Sequence, residues 1–122
     1  MCAGKSGTIV QFNYFLMCKT LVLAQNENIT IAQCCNCRVL NIWRAGLLMN
    51  FSFEQFDIFY CATKKLEFNN YIENRPDGKE VVILSTPFPD ISLVFTREEW
   101  REFFEKIEEA TFMQRVYELV HN

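Results

Sequence analysis

The sequence predicts an α+β fold, in which helices pack on one face of a mostly antiparallel sheet. The first observation is a repeated pattern: Leu47–Thr63 and Ile91–Ile107 each contain an alternating apolar strand, a hydroxyl residue and an aromatic-faced helix. The second is the shortness of the connections between predicted strands, which favours antiparallel pairing. The third is composition, because 50% of the 122 residues are hydrophobic and 15% are aromatic. That is enough for the core of one domain.

One domain is expected over residues 1–122, built from two ββα-like repeats and an N-terminal hairpin. Its predicted segments are a loose N-terminus (1–7), N-terminal strands with a cysteine cluster (8–37), a first ββα unit (38–66), a second ββα unit (67–110) and a C-terminal helix (111–122). The string that starts at Thr111 is either the beginning of a new helix or a kink in the helix before it.

The N-terminal strands are predicted from apolar, β-rich stretches. Thr8–Met17 is one such strand, and Leu21–Ala24 and Ile29–Ala32 flank a polar tetrad that is typical of a hairpin loop. If the loop is centred on its two middle residues, Thr20 faces Gln33. Extending that register places Cys18 opposite Cys35, close to the other cysteines of the cluster.

Each predicted helix begins at a capping box, in which a hydroxyl side chain and an acidic or amide side chain three residues later bond each other's backbone amides. The boxes are Ser52-Phe53-Glu54-Gln55 and Thr96-Arg97-Glu98-Glu99. Apolar residues then recur at helical spacing and define one core-facing side. The expected core residues are Phe53, Phe56, Phe59, Tyr60, Thr63 and Leu66 in the first helix, and Trp100, Phe103, Phe104, Ile107 and Ala110 in the second.

Charge and hydropathy exclude several classes of partner. The formal net charge is −3 and no basic tract occurs, so no nucleic acid is expected to bind. No apolar run approaches the roughly 20 residues of a membrane span. The N-terminus lacks a basic region leading into a long apolar stretch, so no secretory signal is expected. We therefore expect a cytoplasmic protein without a membrane partner, in which the six cysteines are mostly thiols or metal ligands.

The cysteine cluster is the chemically suggestive feature of the chain. Cys34 and Cys37 form a C-x-x-C, a spacing at which two thiolates can hold one tetrahedral zinc ion. Cys18 is the candidate third ligand because of the hairpin register. The fourth ligand would be Cys35, Cys2 or a water molecule.

Two other interpretations of this cluster stay open. Cys34 and Cys37 could form a thiol redox or redox-sensing site, for which Arg38 is the one nearby cation. Alternatively, the cysteines are ordinary small residues at a strand entry.

The remaining candidates are expected to be structural. Cys61 falls opposite the aromatic face of its helix and is expected to be an exposed thiol, and the acidic side of the second helix is expected to be solvated. Trp43, beside Arg44, is expected in the core at a strand end; the alternative is an exposed anchor for a partner. His121, the single histidine, is expected to be a solvent-exposed tail residue, so no Ser-His-Asp or Cys-His pair is available for catalysis.

In order, the chain presents Cys34-x-x-Cys37, the strands Val39–Ile42 and Leu47–Phe51, and a helix with Phe56 and Phe59. This order resembles a family of small uncharacterised bacterial proteins with a C-x-x-C, two short strands and an E-x-F-type helix. The later strand followed by Thr-Arg-Glu-Glu resembles that family's second half.

The resemblance covers nearly the whole chain and implies a bacterial cytosolic protein, but it implies no activity. Many members of the family carry a histidine near the position of Asn41. The departure there weakens an inherited metal role.

The leading hypothesis is therefore a non-enzymatic intracellular module that binds another protein and is stabilised by zinc at Cys18, Cys34 and Cys37. A thiol redox or sensing protein is the first alternative. A self-associating subunit, pairing as a homodimer through an exposed edge strand, is the second.

Overall fold

The computed structural model describes residues 19–121. Its elements in chain order are β1 (Thr20–Gln25), β2 (Ile29–Cys34), β3 (Val39–Arg44), β4 (Leu47–Ser52), α1 (Phe53–Lys65), a 3-10 turn (Phe68–Asn70), β5 (Glu73–Asn74), β6 (Glu80–Ser85), β7 (Ser92–Phe95) and α2 (Arg97–His121). The loose terminus expected over residues 1–7 and the strand expected over Thr8–Met17 lie outside the described residues.

The strands form two antiparallel sheets, against which the two helices pack. One sheet has the order β1-β2-β3-β4, and the other has the order β5-β6-β7. The α+β class and the antiparallel pairing are confirmed. The expectation of one sheet shared by both ββα units is wrong, because β4 and β6 belong to separate sheets that contribute to one hydrophobic core.

The N-terminal hairpin forms, but its register differs from the expected one. Thr20 pairs with Cys34 and not with Gln33. The difference has two local causes. The side chain of Asn26 accepts two backbone N–H groups across the loop and shifts the loop's centre. A β-bulge directly before Ala24 then shifts the remaining pairs again.

Both capping boxes form as predicted. In α1 the Gln55 amide donates to Ser52 Oγ at 3.0 Å, and the Ser52 amide donates to Gln55 Oε1 at 2.9 Å. In α2 the Thr96 amide donates to Glu99 Oε1 at 2.9 Å, and the Glu99 amide donates to Thr96 Oγ1 at 3.4 Å. Each helix therefore starts directly after the strand that precedes it.

The aromatic faces of the two helices meet the sheets in equivalent ways. Phe51 and Phe59 have ring centroids 5.0 Å apart, and their counterparts in the repeat, Phe95 and Phe103, are 4.6 Å apart. All four rings are buried. The same contact is thus made once in each unit.

Helix α2 continues through Thr111 as a single 25-residue helix. The hydroxyl of Thr111 donates to the Ile107 carbonyl oxygen at 2.8 Å, one turn back, and so starts no new helix. The separate helix expected over residues 111–122 is therefore the end of α2. In this last part of α2, Phe112 and Leu119 are exposed while Thr111 is buried. Within residues 19–121, neither helix is long and apolar enough to cross a membrane.

Candidate functional site: the cysteine turn

The cysteine cluster lies in the tight turn that joins β2 to β3. Cys34 is the last residue of β2 and pairs with Val39, the first residue of β3. The turn is closed by a hydrogen bond from the Arg38 amide to the Cys34 carbonyl oxygen at 2.9 Å. Arg38 has a φ of 56°, which is uncommon for a residue with a side chain. This backbone bend folds the C-x-x-C back on itself.

The bend brings the sulfurs of Cys34 and Cys37 together. The Cys34 thiol donates to Cys37 Sγ at a sulfur–sulfur distance of 3.3 Å. Cys34 is 5% exposed, whereas Cys37 is half-buried. The two predicted residues are therefore in direct contact, with one side open to solvent.

The cysteines of the turn differ in oxidation state. Cys37 is disulfide-bonded, whereas Cys34, Cys35 and Cys61 are free thiols. Cys2 and Cys18 lie outside the described residues. Sequence reasoning expected mostly thiols or metal ligands and did not anticipate a disulfide at Cys37. A free thiol is thus held against a sulfur that is already part of a disulfide.

Cys35 has surroundings different from those of Cys34 and Cys37. It is exposed, and its sulfur accepts a hydrogen bond from Gln33 Nε2 at 3.5 Å. Gln33 itself is 2% exposed. Among the described residues, no group of three or more His, Cys, Asp or Glu side chains converges as a metal site would require. The candidate ligand Cys18 is outside that range.

The nearby cation that the sequence singled out is engaged elsewhere. The Arg38 guanidinium lies 4.4 Å from the ring centroid of Phe53, the first residue of α1. A cation over an aromatic face is a favourable contact that fixes both side chains. Arg38 therefore ties the cysteine turn to the start of α1.

The other candidates are distributed over the surface. Cys61 is exposed on α1, as predicted. The expected core placement of Trp43 is wrong: its side chain is 47% exposed, and its indole N–H donates to Asn41 Oδ1 at 3.0 Å. The acidic side of α2 is mostly solvated, although Glu108 accepts a hydrogen bond from the Tyr60 hydroxyl at 2.9 Å.

Sequence reasoning missed Gln33. The signal for it was present in β2, where Ile29, Ile31 and Gln33 alternate on the side of the sheet that faces the helices. Gln33 is the third residue of that series, at a position where an apolar residue is expected. Such a residue is a reason to look for a polar partner nearby.

Fold and site together describe a small α+β protein in which the cluster of reactive groups, within residues 19–121, is the cysteine-bearing turn between β2 and β3. No protein-family model, curated protein or solved structure matches the chain. Its function is therefore argued from the geometry of the turn.

Proposed function

We propose that the chain is a thiol-based redox module in which Cys34 and Cys37 exchange disulfide bonds. The observation that supports this is the 3.3 Å contact between the Cys34 thiol and the disulfide sulfur of Cys37. Thiol–disulfide exchange proceeds by attack of a thiolate on a disulfide sulfur. The nucleophile and its target are already in contact.

The exchange needs no external oxidant or reductant, because one disulfide bond breaks for each one that forms. Cys34 loses its proton, and its sulfur attacks Sγ of Cys37. A Cys34–Cys37 bond forms while the bond from Cys37 to its present partner sulfur breaks. That partner leaves as a thiolate and takes up a proton. The disulfide then links Cys34 to Cys37, and the former partner of Cys37 becomes a free thiol.

Local structure favours this exchange over other pairings of the turn cysteines. The sulfur of Cys35 accepts a hydrogen bond from the Gln33 side-chain amide. Burial of Cys34 limits its access to bulky external disulfides. The Cys37 sulfur, which is half-buried, is the one that an outside thiol could reach.

The test is disulfide mapping by peptide mass spectrometry after equilibration in glutathione buffers of graded potential. The wild type is expected to yield a Cys34–Cys37 peptide over part of the range, and Cys34→Ser is expected to abolish it. Cys61→Ser, which removes an exposed thiol of α1, is the matched control and should leave the map unchanged. Absence of a Cys34–Cys37 peptide from the folded wild type at every potential would contradict the proposal.

A structural zinc site in a protein-binding module is the second candidate, favoured by the same sulfur spacing. Two thiolates on one tetrahedral zinc lie roughly 3.8 Å apart, given Zn–S bonds of about 2.3 Å. The Cys34–Cys37 separation of 3.3 Å is close to that value. Reduction of Cys37 must come first, because the metal ligand is a thiolate. Cys18 and either Cys35 or Cys2 would complete the set.

Metal analysis separates the two candidates. Reduced, untagged protein that binds about one zinc per chain, and loses it in both Cys34→Ser and Cys37→Ser but not in Cys61→Ser, would establish the metal site. Folded, reduced protein without a stoichiometric metal would exclude it and leave the exchange proposal standing.

A further inference from the structure

The inner face of β2 carries the buried side-chain amide of Gln33, whose hydrogen-bonding groups are not all paired in the described part of the fold. Gln33 follows Ile29 and Ile31 on the core side of the sheet and lies between Leu21 and Leu40 on the neighbouring strands. Its side chain is 2% exposed. An apolar residue would fill this position without any demand for hydrogen bonds.

Half of that amide has no partner. Gln33 Nε2 donates to Cys35 Sγ at 3.5 Å, whereas Gln33 Oε1 is buried without a hydrogen bond among the described residues. An unpaired buried acceptor costs folding free energy, so such groups are rare and call for an explanation. The amide nitrogen thus donates to the sulfur of the exposed Cys35, while the oxygen of the same amide has no hydrogen-bond partner within residues 19–121.

We propose that Cys35 is a site of oxidation by hydroperoxides and that the Gln33 amide holds its sulfenic acid. The Cys35 sulfur attacks one peroxide oxygen; an S–O bond forms, the O–O bond breaks, and the second oxygen leaves as an alcohol or water with the thiol proton. Sulfur is oxidised by two electrons and the peroxide is reduced by two. The new S–O–H group supplies what the amide lacks: its O–H donates to Oε1, while Nε2 donates to the sulfur or its oxygen.

The three free thiols of the described region differ in their fitness for this reaction. Cys34 is buried and faces Cys37. Cys61 is exposed, but none of the described hydrogen bonds involves its sulfur. Cys35 combines exposure with an adjacent hydrogen-bond donor, and the same Gln33 amide carries a buried acceptor that has no hydrogen-bond partner in the described part of the chain. Solvent access favours the oxidation of a thiol to a sulfenic acid. This role of Cys35 does not depend on exchange between Cys34 and Cys37.

The test compares two thiols within one molecule. The full chain is treated with less than one equivalent of hydrogen peroxide in the presence of dimedone, and the labelled peptides are quantified by mass spectrometry. Cys35 is expected to be labelled several-fold faster than Cys61. In Gln33→Leu, which fills the same space without an amide, labelling of Cys35 is expected to fall to the Cys61 level.

Two outcomes would overturn the proposal: equal labelling of Cys35 and Cys61 in the wild type, or unchanged labelling of Cys35 in folded Gln33→Leu. The wild-type comparison decides the matter even if the variant fails to fold.

Discussion

The rings of Phe59 and Phe103 meet edge to face, with centroids 6.3 Å apart and an interplanar angle of 85°. Phe59 belongs to α1 and Phe103 to α2, and both side chains are buried. They occupy equivalent positions in the two copies of the strand–cap–helix pattern. This contact joins the two units at the centre of the core.

A double-mutant cycle on these rings should reveal coupling. Edge-to-face aromatic pairs contribute about 0.5–1.5 kcal/mol beyond the burial of their area. We expect Phe59→Leu and Phe103→Leu each to lower the free energy of unfolding, and the double variant to lose about 1 kcal/mol less than their sum. Urea denaturation of the wild type, the two single variants and the double variant measures the four free energies of unfolding. Ile58→Ala, at a position 70% exposed, should show no coupling with Phe103→Leu.

The capping boxes predict a matched pair of substitutions. Ser52→Ala and Thr96→Ala each remove a side-chain acceptor for the amide three residues later. Each is expected to lower the free energy of unfolding by about 1 kcal/mol, since the first-turn amide loses its partner. Ser52→Thr and Thr96→Ser keep the hydroxyl and should retain most of the stability. Unchanged unfolding in both alanine variants would show that the caps contribute nothing.

Local signals account for what the sequence predicted correctly about the fold. A cap and the helix after it depend on a few adjacent residues, so Ser52 and Thr96 could be assigned from their own neighbourhoods. Register and sheet membership depend on contacts between segments. The bulge before Ala24 and the separation of the two sheets could therefore not be predicted from local sequence signals. The helix start predicted at Thr111 was wrong because a threonine hydroxyl can either cap a new helix or donate a hydrogen bond to a carbonyl one turn back in the same helix.

The turn between β5 and β6 predicts a specific dependence on pH. The Arg75 side chain donates to both carboxylate oxygens of Asp77, and with the Lys79 amide it lowers the pKa of Asp77 from 3.8 to about 2. A carboxyl group whose folded pKa is depressed stabilises the fold above its unfolded pKa, and that contribution disappears as pH falls through the folded pKa.

The expected result is a stability difference between wild type and Asp77→Asn that shrinks as pH falls from about 5 to about 2, the interval over which the carboxyl takes up its proton. Thermal unfolding across that range measures it. An NMR titration should place the Asp77 midpoint below that of an unpaired aspartate. A normal midpoint would contradict the geometry of this turn.

The Tyr60–Glu108 hydrogen bond predicts an effect at the opposite end of the pH scale. Partial burial raises the pKa of Tyr60 above its ordinary value of 10.0, and the hydrogen bond to Glu108 raises it further. The fold thus favours the neutral phenol. Its contribution is present below pH 10 and is lost as pH rises past the ionisation of the folded phenol.

A difference titration of phenolate absorbance, wild type minus Tyr60→Phe, isolates this group. In Glu108→Ala the ionisation of Tyr60 is expected to shift toward lower pH, since the carboxylate no longer holds the phenol proton. Glu109→Ala, next to it on α2, serves as the control. Identical titrations in all of these backgrounds would argue against the Tyr60–Glu108 bond.

The site was only partly within reach of sequence reasoning. The C-x-x-C spacing indicated that a tight turn could bring Cys34 and Cys37 to one metal ion. The structure has a tight turn there, with the two sulfurs 3.3 Å apart, and the metal stays a prediction. The role of Gln33 depends on which face of β2 it occupies and on what surrounds it there. The oxidation state of Cys37 is a property of the folded chain, and no spacing in the sequence reports it.

Site-resolved NMR of the cysteine Cβ carbons during a redox titration tests the central claim most directly, because these shifts distinguish a thiol from a disulfide at each position. We expect Cys34 and Cys37 to become oxidised together over one range of potential while Cys61 stays reduced. Cys34 remaining a thiol at every potential, whatever the state of Cys37, would contradict it.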